Sequence, residues 1–92
     1  MHTNNLDLLR LHAVQKKMGR SRTAIYAAIE RGEMTKPCRL GARCSAWPAY
    51  EVDELNAATI RGAQSDERRE LVKELHERRK TLGLRSVEGP AR

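Results

Sequence analysis

Basic side chains, the groups that bind a polyanion through charge and hydrogen bonds, are concentrated in one part of this 92-residue chain. Between Arg10 and Arg43 the sequence has nine lysines and arginines and only two acidic residues, so this stretch carries a net charge of +7. The rest of the chain has nine basic and ten acidic residues. Such localised charge is typical of a surface that meets a polyanion. The alternative is a solvated cationic face that has no partner.

The residues that could read a nucleic-acid sequence lie at the predicted start of a helix. The spacing of Ile25, Ala28 and Ile29 predicts a helix over residues 22–31, with Ser21 placed to cap its first free N–H groups. The major groove of B-DNA accepts one α-helix, whose N-terminal residues reach the base edges first. The candidate recognition residues are therefore Arg20, Ser21, Arg22, Thr23, Tyr26 and Ala27.

These recognition residues differ in the contacts that their side chains can make. Arg22 can donate two hydrogen bonds to a guanine, and Thr23 can hydrogen-bond a base or lay its methyl group against thymine. Tyr26 lies one helical turn later, and we expect it to contact a phosphate rather than a base. For Ser21, we expect the role of helix cap in preference to direct DNA contact.

A shorter helix is predicted just before the recognition segment. Apolar residues at helical spacing favour a helix over residues 11–18, which Gly19 ends because glycine readily adopts a positive φ. Lys16 and Lys17 lie in the last turn of this helix. Both lysines are candidates for neutralising DNA phosphates.

A basic hairpin is predicted after the recognition segment. Residues 38–40 and 44–47 have the pattern of two short strands around a glycine-containing turn. Arg39 and Arg43 lie on or beside its tip, where they can enter the neighbouring minor groove or contact its phosphates. Lys36, at the base of the hairpin, is a third candidate for phosphate contact.

Together these elements predict a mainly α fold with a small β-hairpin, arranged as a winged helix-turn-helix DNA-binding domain plus a C-terminal helix. We expect a flexible N-terminus over residues 1–7 and the DNA-binding domain over residues 8–62. The C-terminal helix is expected over residues 63–83, and a disordered tail over residues 84–92.

The third helix is expected within residues 48–60, with Val52, Leu55 and Ile60 as its apolar positions. Ser65 is expected to cap the last helix. The apolar positions of that helix form a narrow seam: Leu71, Val72, Leu75 and Leu82. Three alternatives stay open for it, namely a solvated helix, a helix folded back on the domain, or a contact with a neighbouring subunit.

Several motifs also match a known family over about residues 8–62. They are Leu-Leu-Arg-Leu at residues 8–11, Gly-x-Ser-Arg-x-x-Ile-Tyr at residues 19–26 and Lys-Pro-x-x-Leu-Gly at residues 36–41, followed by Trp47, Glu51 and Val52. In these features the sequence resembles the AlpA family of phage and prophage regulators. Two positions depart from the family pattern, because Ala46 stands where arginine is common and Tyr50 where a serine-type helix cap is frequent.

The resemblance implies a small winged-helix DNA binder related to excisionases and to the MerR-type DNA-binding domain. By position, Arg22, Thr23 and Tyr26 take the family's recognition-helix roles. The resemblance also implies action on a mobile genetic element, by either of two routes. One is activation of transcription of an integrase or excision gene, and the other is binding of attachment-site DNA to direct excision.

Three functions therefore compete. The first is an excisionase, or recombination directionality factor, that binds attachment-site double-stranded DNA for an integrase, either alone or in self-associated arrays, and bends it. The second is an AlpA-like transcription activator of an integrase or excision operon, which would use the same surface at a promoter. The third is a protein-binding adaptor whose basic face meets an acidic partner.

The sequence offers little support for a metal site, a cofactor or a catalytic site. Cys38 and Cys44 lack the second ligand pair of a structural zinc site, so we expect free thiols, no metal and no cofactor. Trp47 and Met34 are expected in the core of a chain that has no phenylalanine. No nucleophile–base pattern or glycine-rich phosphate loop is present, which predicts that the protein is not an enzyme.

The sequence also predicts where the protein resides. Its apolar stretches are only a few residues long, whereas a membrane-spanning helix needs about 20. The first ten residues lack the basic start and apolar run of a secretory signal. We therefore expect a cytoplasmic protein that makes no membrane contact. The resemblance to phage and prophage regulators implies that the protein is bacterial and nucleoid-associated when bound to DNA.

Overall fold

The structure, a computed structural model, describes residues 6–83. Its elements in chain order are β1 (Leu8–Leu9), α1 (Leu11–Met18), α2 (Arg22–Glu30), β2 (Cys38–Gly41), β3 (Cys44–Pro48), α3 (Ala49–Ile60) and α4 (Ser65–Arg79). The expected disordered tail and most of the expected flexible N-terminus lie outside the described residues. The predicted fold class, mainly α with a small β-hairpin, is confirmed.

The helix pair α1–α2 forms as its local sequence predicts. Gly19 adopts the left-handed conformation at φ 66°, which ends α1 and turns the chain. Ser21 Oγ then accepts a hydrogen bond from the Ala24 N–H at 3.1 Å and caps α2. The turn between the two helices is therefore specified by the residues within it.

The sheet has one more strand than the sequence indicates. β3 lies at its centre, with β2 on one side and β1 on the other, and both pairings are antiparallel. Leu9 in β1 pairs with Trp47, and the Asp7 carbonyl accepts a hydrogen bond from Ala49 N–H at 2.7 Å. A two-residue strand has no detectable periodicity, so only its distant partner reveals it.

The core forms around Trp47, which is fully buried and donates its indole N–H to the Thr35 carbonyl at 2.9 Å. Val14 from α1, Ile25 from α2 and Leu55 from α3 pack into the same cluster. Met34 is buried as well, so the predicted core positions of Trp47 and Met34 are confirmed.

Of the three apolar positions expected in the third helix, Val52 and Leu55 are buried, whereas the Ile60 side chain is 84% exposed. Val52, Leu55 and Ala58 form the buried face of α3. Ile60 lies five residues after Leu55, which at 3.6 residues per turn rotates its side chain away from that face. The apolar character of Ile60 therefore does not determine its position.

The last helix folds back on the domain. Val72 and Leu75 are buried in the core cluster, and Leu71 and Leu82 pack partly buried against it. The prediction that Ser65 caps α4 is wrong. Gln64 occupies the N-cap position without a side-chain hydrogen bond, and Ser65 is the first helical residue. Asp66 and Glu67 in the first turn still favour the helix through its dipole.

Candidate nucleic-acid interface

The outer face of α2 presents its polar residues to solvent. Arg22 and Thr23 are exposed on the first turn, Tyr26 is 39% exposed one turn later, and Ala27 is partly buried beside it. Ile25 and Ala28 on the opposite face are buried, which fixes the rotation of the helix. A shallow depression on this outer face is lined by Arg22, Thr23, Tyr26, Ala27 and Glu30.

Arg22 lies at the end of a stack formed with two aromatic rings. The Arg22 guanidinium lies over the Tyr26 ring at 5.7 Å from its centroid. Tyr26 in turn packs edge to face on Trp47, with ring centroids 6.4 Å apart and an interplanar angle of 68°. Because Trp47 is fixed in the core, this stack restricts where Tyr26, and hence Arg22, can lie. No spacing in the sequence indicates that contact, since Trp47 lies on β3.

The two arginines of the β2–β3 hairpin differ in their contacts. Arg39 Nη2 donates a hydrogen bond to the Ala42 carbonyl at 2.8 Å, so part of this side chain stabilises the turn. Arg43 lies in that turn and is exposed. Ala46 is fully buried, so this position does not contribute to the hairpin surface.

The remaining basic candidates lie around α2. Lys16 and Lys36 are exposed, whereas Arg20 is partly buried and lines a small cavity together with Met18 and Ile25. Lys17 is exposed but pairs with Asp53 of α3 at 2.8 Å. Its positive charge is therefore partly neutralised within the protein.

The basic surface as a whole is poorly neutralised. Within residues 6–83, salt bridges involve only two of the nine basic residues between Arg10 and Arg43, namely Lys17 with Asp53 and Arg31 with Glu33. The other seven have no carboxylate within salt-bridge distance in that part of the chain: Arg10, Lys16, Arg20, Arg22, Lys36, Arg39 and Arg43. This arrangement leaves a surface able to attract phosphate groups.

The residues with shifted pKa values lie away from α2, at the contact between α3 and α4. Burial raises the pKa of Tyr50, and burial together with Arg79 lowers the pKa of His76. A hydrogen bond from Arg79 to Glu51 raises the pKa of that guanidinium. These shifts arise from packing of the last helix, so they indicate no acid–base chemistry on the α2 face.

The two cysteines are free thiols, partly buried on neighbouring strands. Gly41, not Cys38, pairs with Cys44 in the hairpin register. Over residues 6–83, no three histidine, cysteine, aspartate or glutamate side chains come together as a metal site would require. The same part of the chain holds no helix with the length and apolar character needed to span a bilayer.

Residues 7–58 match the family described as Prophage CP4-57 regulatory protein (AlpA). The matched span contains β1, α1, α2, the hairpin and most of α3, but not α4. No curated protein and no solved structure gave a significant match.

Proposed function

Because this chain belongs to the AlpA family of prophage regulatory proteins, we propose that it binds double-stranded DNA of a mobile element in a sequence-specific manner. The α2 helix would enter the major groove, and the β2–β3 hairpin would lie over the neighbouring minor groove. The observation that supports this proposal best is the exposed, poorly neutralised row of basic and polar side chains on α2 and the hairpin.

The recognition helix has two suitable base-reading side chains. Arg22 can donate two parallel hydrogen bonds to a guanine, and Thr23 beside it can contact a base edge or a thymine methyl group. The stack on Tyr26 and Trp47 reduces the conformational freedom that Arg22 would lose on binding. Ser21 satisfies the N–H of Ala24, so its hydroxyl is engaged in the cap.

Phosphate contacts would come from both sides of α2. Lys16 and Lys17 belong to α1, and Lys36, Arg39 and Arg43 belong to the hairpin and its base. Neutralising phosphates on both flanks of a reading helix favours DNA curvature, whose elastic cost is on the order of a few kcal/mol for a short site. This distribution of charge supports the proposal that the protein bends its DNA site.

The finer proposal is that the protein acts as an excisionase. It would bind and bend attachment-site DNA so that an integrase recombines the element out of the chromosome. The alternative, a transcription activator of an integrase or excision operon, is favoured by the description of the matched family as a regulatory protein. Both activities use the same DNA-binding surface and differ in target and partner.

DNA binding is tested with purified protein and labelled duplexes from the attachment site, from the integrase promoter and from unrelated DNA. We expect tightest binding to one of the first two, with affinity falling on the order of a thousandfold between low and physiological salt. An adaptor for an acidic protein would not discriminate between duplexes. Failure to bind any duplex in dilute buffer would overturn the proposal.

Excision and activation are separated by two assays that share one control variant. An excision assay with the element's integrase, and a reporter driven by the integrase promoter, would each be run with wild-type protein and Arg22→Ala. Stimulated excision with a silent reporter favours the excisionase, and the reverse favours the activator. In either case Arg22→Ala should remove most of the signal.

Self-association on DNA is a separate part of the proposal. The apolar seam of α4 is used within the protomer, so a contact between protomers would use the exposed face that carries Glu70 and Glu74. Substituting both glutamates by glutamine and measuring binding to a duplex with adjacent sites tests this idea. Unchanged cooperativity would remove α4 as the contact.

A further inference from the structure

The junction between α2 and the hairpin, residues 35–37, is held by three hydrogen bonds from other elements. The Thr35 carbonyl accepts one from the Trp47 indole at 2.9 Å. The Lys36 N–H donates to His76 Nε2 at 3.1 Å, and the Lys36 carbonyl accepts from Arg79 Nη2 at 2.7 Å. Both backbone polar groups of Lys36 are thus paired with side chains of α4, about 40 residues away.

Arg79 is itself fixed by a buried partner. Its Nε and Nη2 donate to the two carboxylate oxygens of Glu51, each at 2.7 Å, and Glu51 is fully buried in α3. A bidentate arginine–carboxylate pair restrains both side chains to one geometry. Arg79 therefore links the hairpin base to the body of the domain, and Lys36 is held relative to α3 and not only to α4.

The chain is stiff just beyond Lys36. Pro37 has a restricted φ, and a residue that precedes proline is confined to extended conformations. β2 begins at the next residue, Cys38. Since residues 35–37 lie outside any strand, the Lys36 backbone groups have no ladder partners of their own. Together with the pairing of β2 to β3, the contacts at Lys36 therefore restrict the direction in which β2, and the arginines on the hairpin, leave the domain.

We propose that α4 positions the hairpin for DNA, with His76 and Arg79 as positioning residues, and that protonation of His76 releases one of the two contacts. This inference rests on the proposed DNA-binding function. An imidazole accepts a hydrogen bond at Nε2 only when that nitrogen carries no proton. The contact from Lys36 N–H therefore forms with neutral His76 and is lost with the imidazolium.

The charges around His76 favour the neutral form at neutral pH. Arg79 on its own helix and Lys36 from the hairpin base both oppose a further positive charge, while Glu51 from α3 favours it. Arg69 and Lys73 of α4 line the same depression as His76 and Lys36. With partial burial as the largest cause, the pKa of His76 is lowered from its ordinary value of 6.5. The contact is therefore present at neutral pH and is lost only as the pH falls below the ordinary titration range of histidine.

The test compares His76→Ala, which removes the acceptor, with His76→Gln, whose side-chain oxygen can accept from Lys36 N–H but does not titrate. In the free protein, we expect hydrogen exchange of the Lys36 amide to be about tenfold faster in His76→Ala than in wild type or His76→Gln. Specific DNA affinity of His76→Ala near neutral pH should fall about threefold to tenfold, with His76→Gln close to wild type.

The pH profile distinguishes positioning from general stability. As the pH is lowered from about 7.5 to about 5, the affinity of wild type should fall relative to that of His76→Gln, because only wild type loses the contact on protonation. Thr81→Ala, which truncates an exposed side chain beyond the same helix without changing charge, should follow wild type.

Each outcome bears on a different claim. If wild type binds no duplex, the proposed function fails, while the exchange data still test the α4 contact. If wild type binds DNA but both His76 variants match it in affinity and in Lys36 exchange, the positioning role is wrong. A wild-type affinity that rises in acid relative to His76→Gln also overturns the proposal, because an added positive charge would then outweigh the lost contact.

Discussion

The stretch that carries α2 and the hairpin differs from α4 in how many of its basic residues form salt bridges. Of the nine basic residues between Arg10 and Arg43, two form salt bridges within the described part of the chain. Of the seven between Arg61 and Lys80, six do so. The seventh, Arg68, donates to the Thr59 hydroxyl. Basic residues alone are therefore a weak indication of a binding surface, and basic residues without nearby carboxylates are a stronger one.

The α4 charges are themselves of two kinds. Most are exposed pairs, such as Lys80 with Glu77, and contribute about 0–1 kcal/mol each because water screens them. Arg79 with Glu51 differs, because Glu51 is fully buried and would be left as an unpaired charge without its partner. One pair thus dominates the stability contributed by the charges of α4.

The largest effect is expected from breaking that pair. Arg79→Ala should lower the free energy of unfolding by about 3–5 kcal/mol, because it leaves the buried Glu51 carboxylate uncompensated. Urea unfolding of wild type and variant measures the loss. Arg61→Ala, which removes an exposed pair with Glu67, is the matched control and should cost at most about 1 kcal/mol. Equal losses in the two variants would contradict the distinction between buried and exposed pairs.

The next effect concerns base reading. Arg22→Ala should cost about 1–3 kcal/mol of specific DNA affinity and relax specificity at one base pair, because a bidentate contact to a guanine is lost. Binding to a panel of single-base variants of the site measures both. The control is Arg31→Ala, because Arg31 follows the C-terminal end of the same helix and pairs with Glu33. Uniform weakening on every sequence would show that Arg22 contacts phosphate instead.

A smaller effect separates two roles of Tyr26. If the ring supports Arg22, Tyr26→Ala should weaken specific binding by about 0.5–1 kcal/mol, the usual strength of an exposed cation–π contact, while Tyr26→Phe retains it. If the hydroxyl contacts a phosphate, Tyr26→Phe should weaken binding to all duplexes equally. Binding isotherms of both variants on the specific site and on unrelated DNA distinguish these roles.

The smallest effect is expected from one flanking lysine. Lys16→Ala should weaken binding to every duplex alike and reduce the slope of log affinity against log salt by about 0.9, the value for one phosphate contact. Lys73→Ala removes an exposed lysine of α4 that pairs with Glu70, so its salt slope should stay that of wild type. Matching slopes for Lys16→Ala and wild type would place Lys16 outside the interface.

Local signals in the chain were sufficient for much of the fold. Gly19 and Ser21 define the turn between α1 and α2, because one supplies the positive φ and the other caps the next helix. Apolar spacing gave the buried face of α2, and strand propensity gave the hairpin. The same signals failed at Ser65, which resembles a cap but is the first residue of α4, and they did not indicate that the apolar Ile60 is exposed.

For the candidate site, the sequence by itself determined which residues lie on the outer face of α2 and that positive charge is concentrated before Arg43. Helical periodicity and charge are properties of neighbouring residues, so they can be read without the fold. Only the tertiary structure decided which cations stay unpaired, that Tyr26 packs on Trp47, and that His76 and Arg79 bind the Lys36 backbone. These contacts join residues 21 to 43 positions apart, and no local pattern specifies them because they depend on how the helices pack around one core.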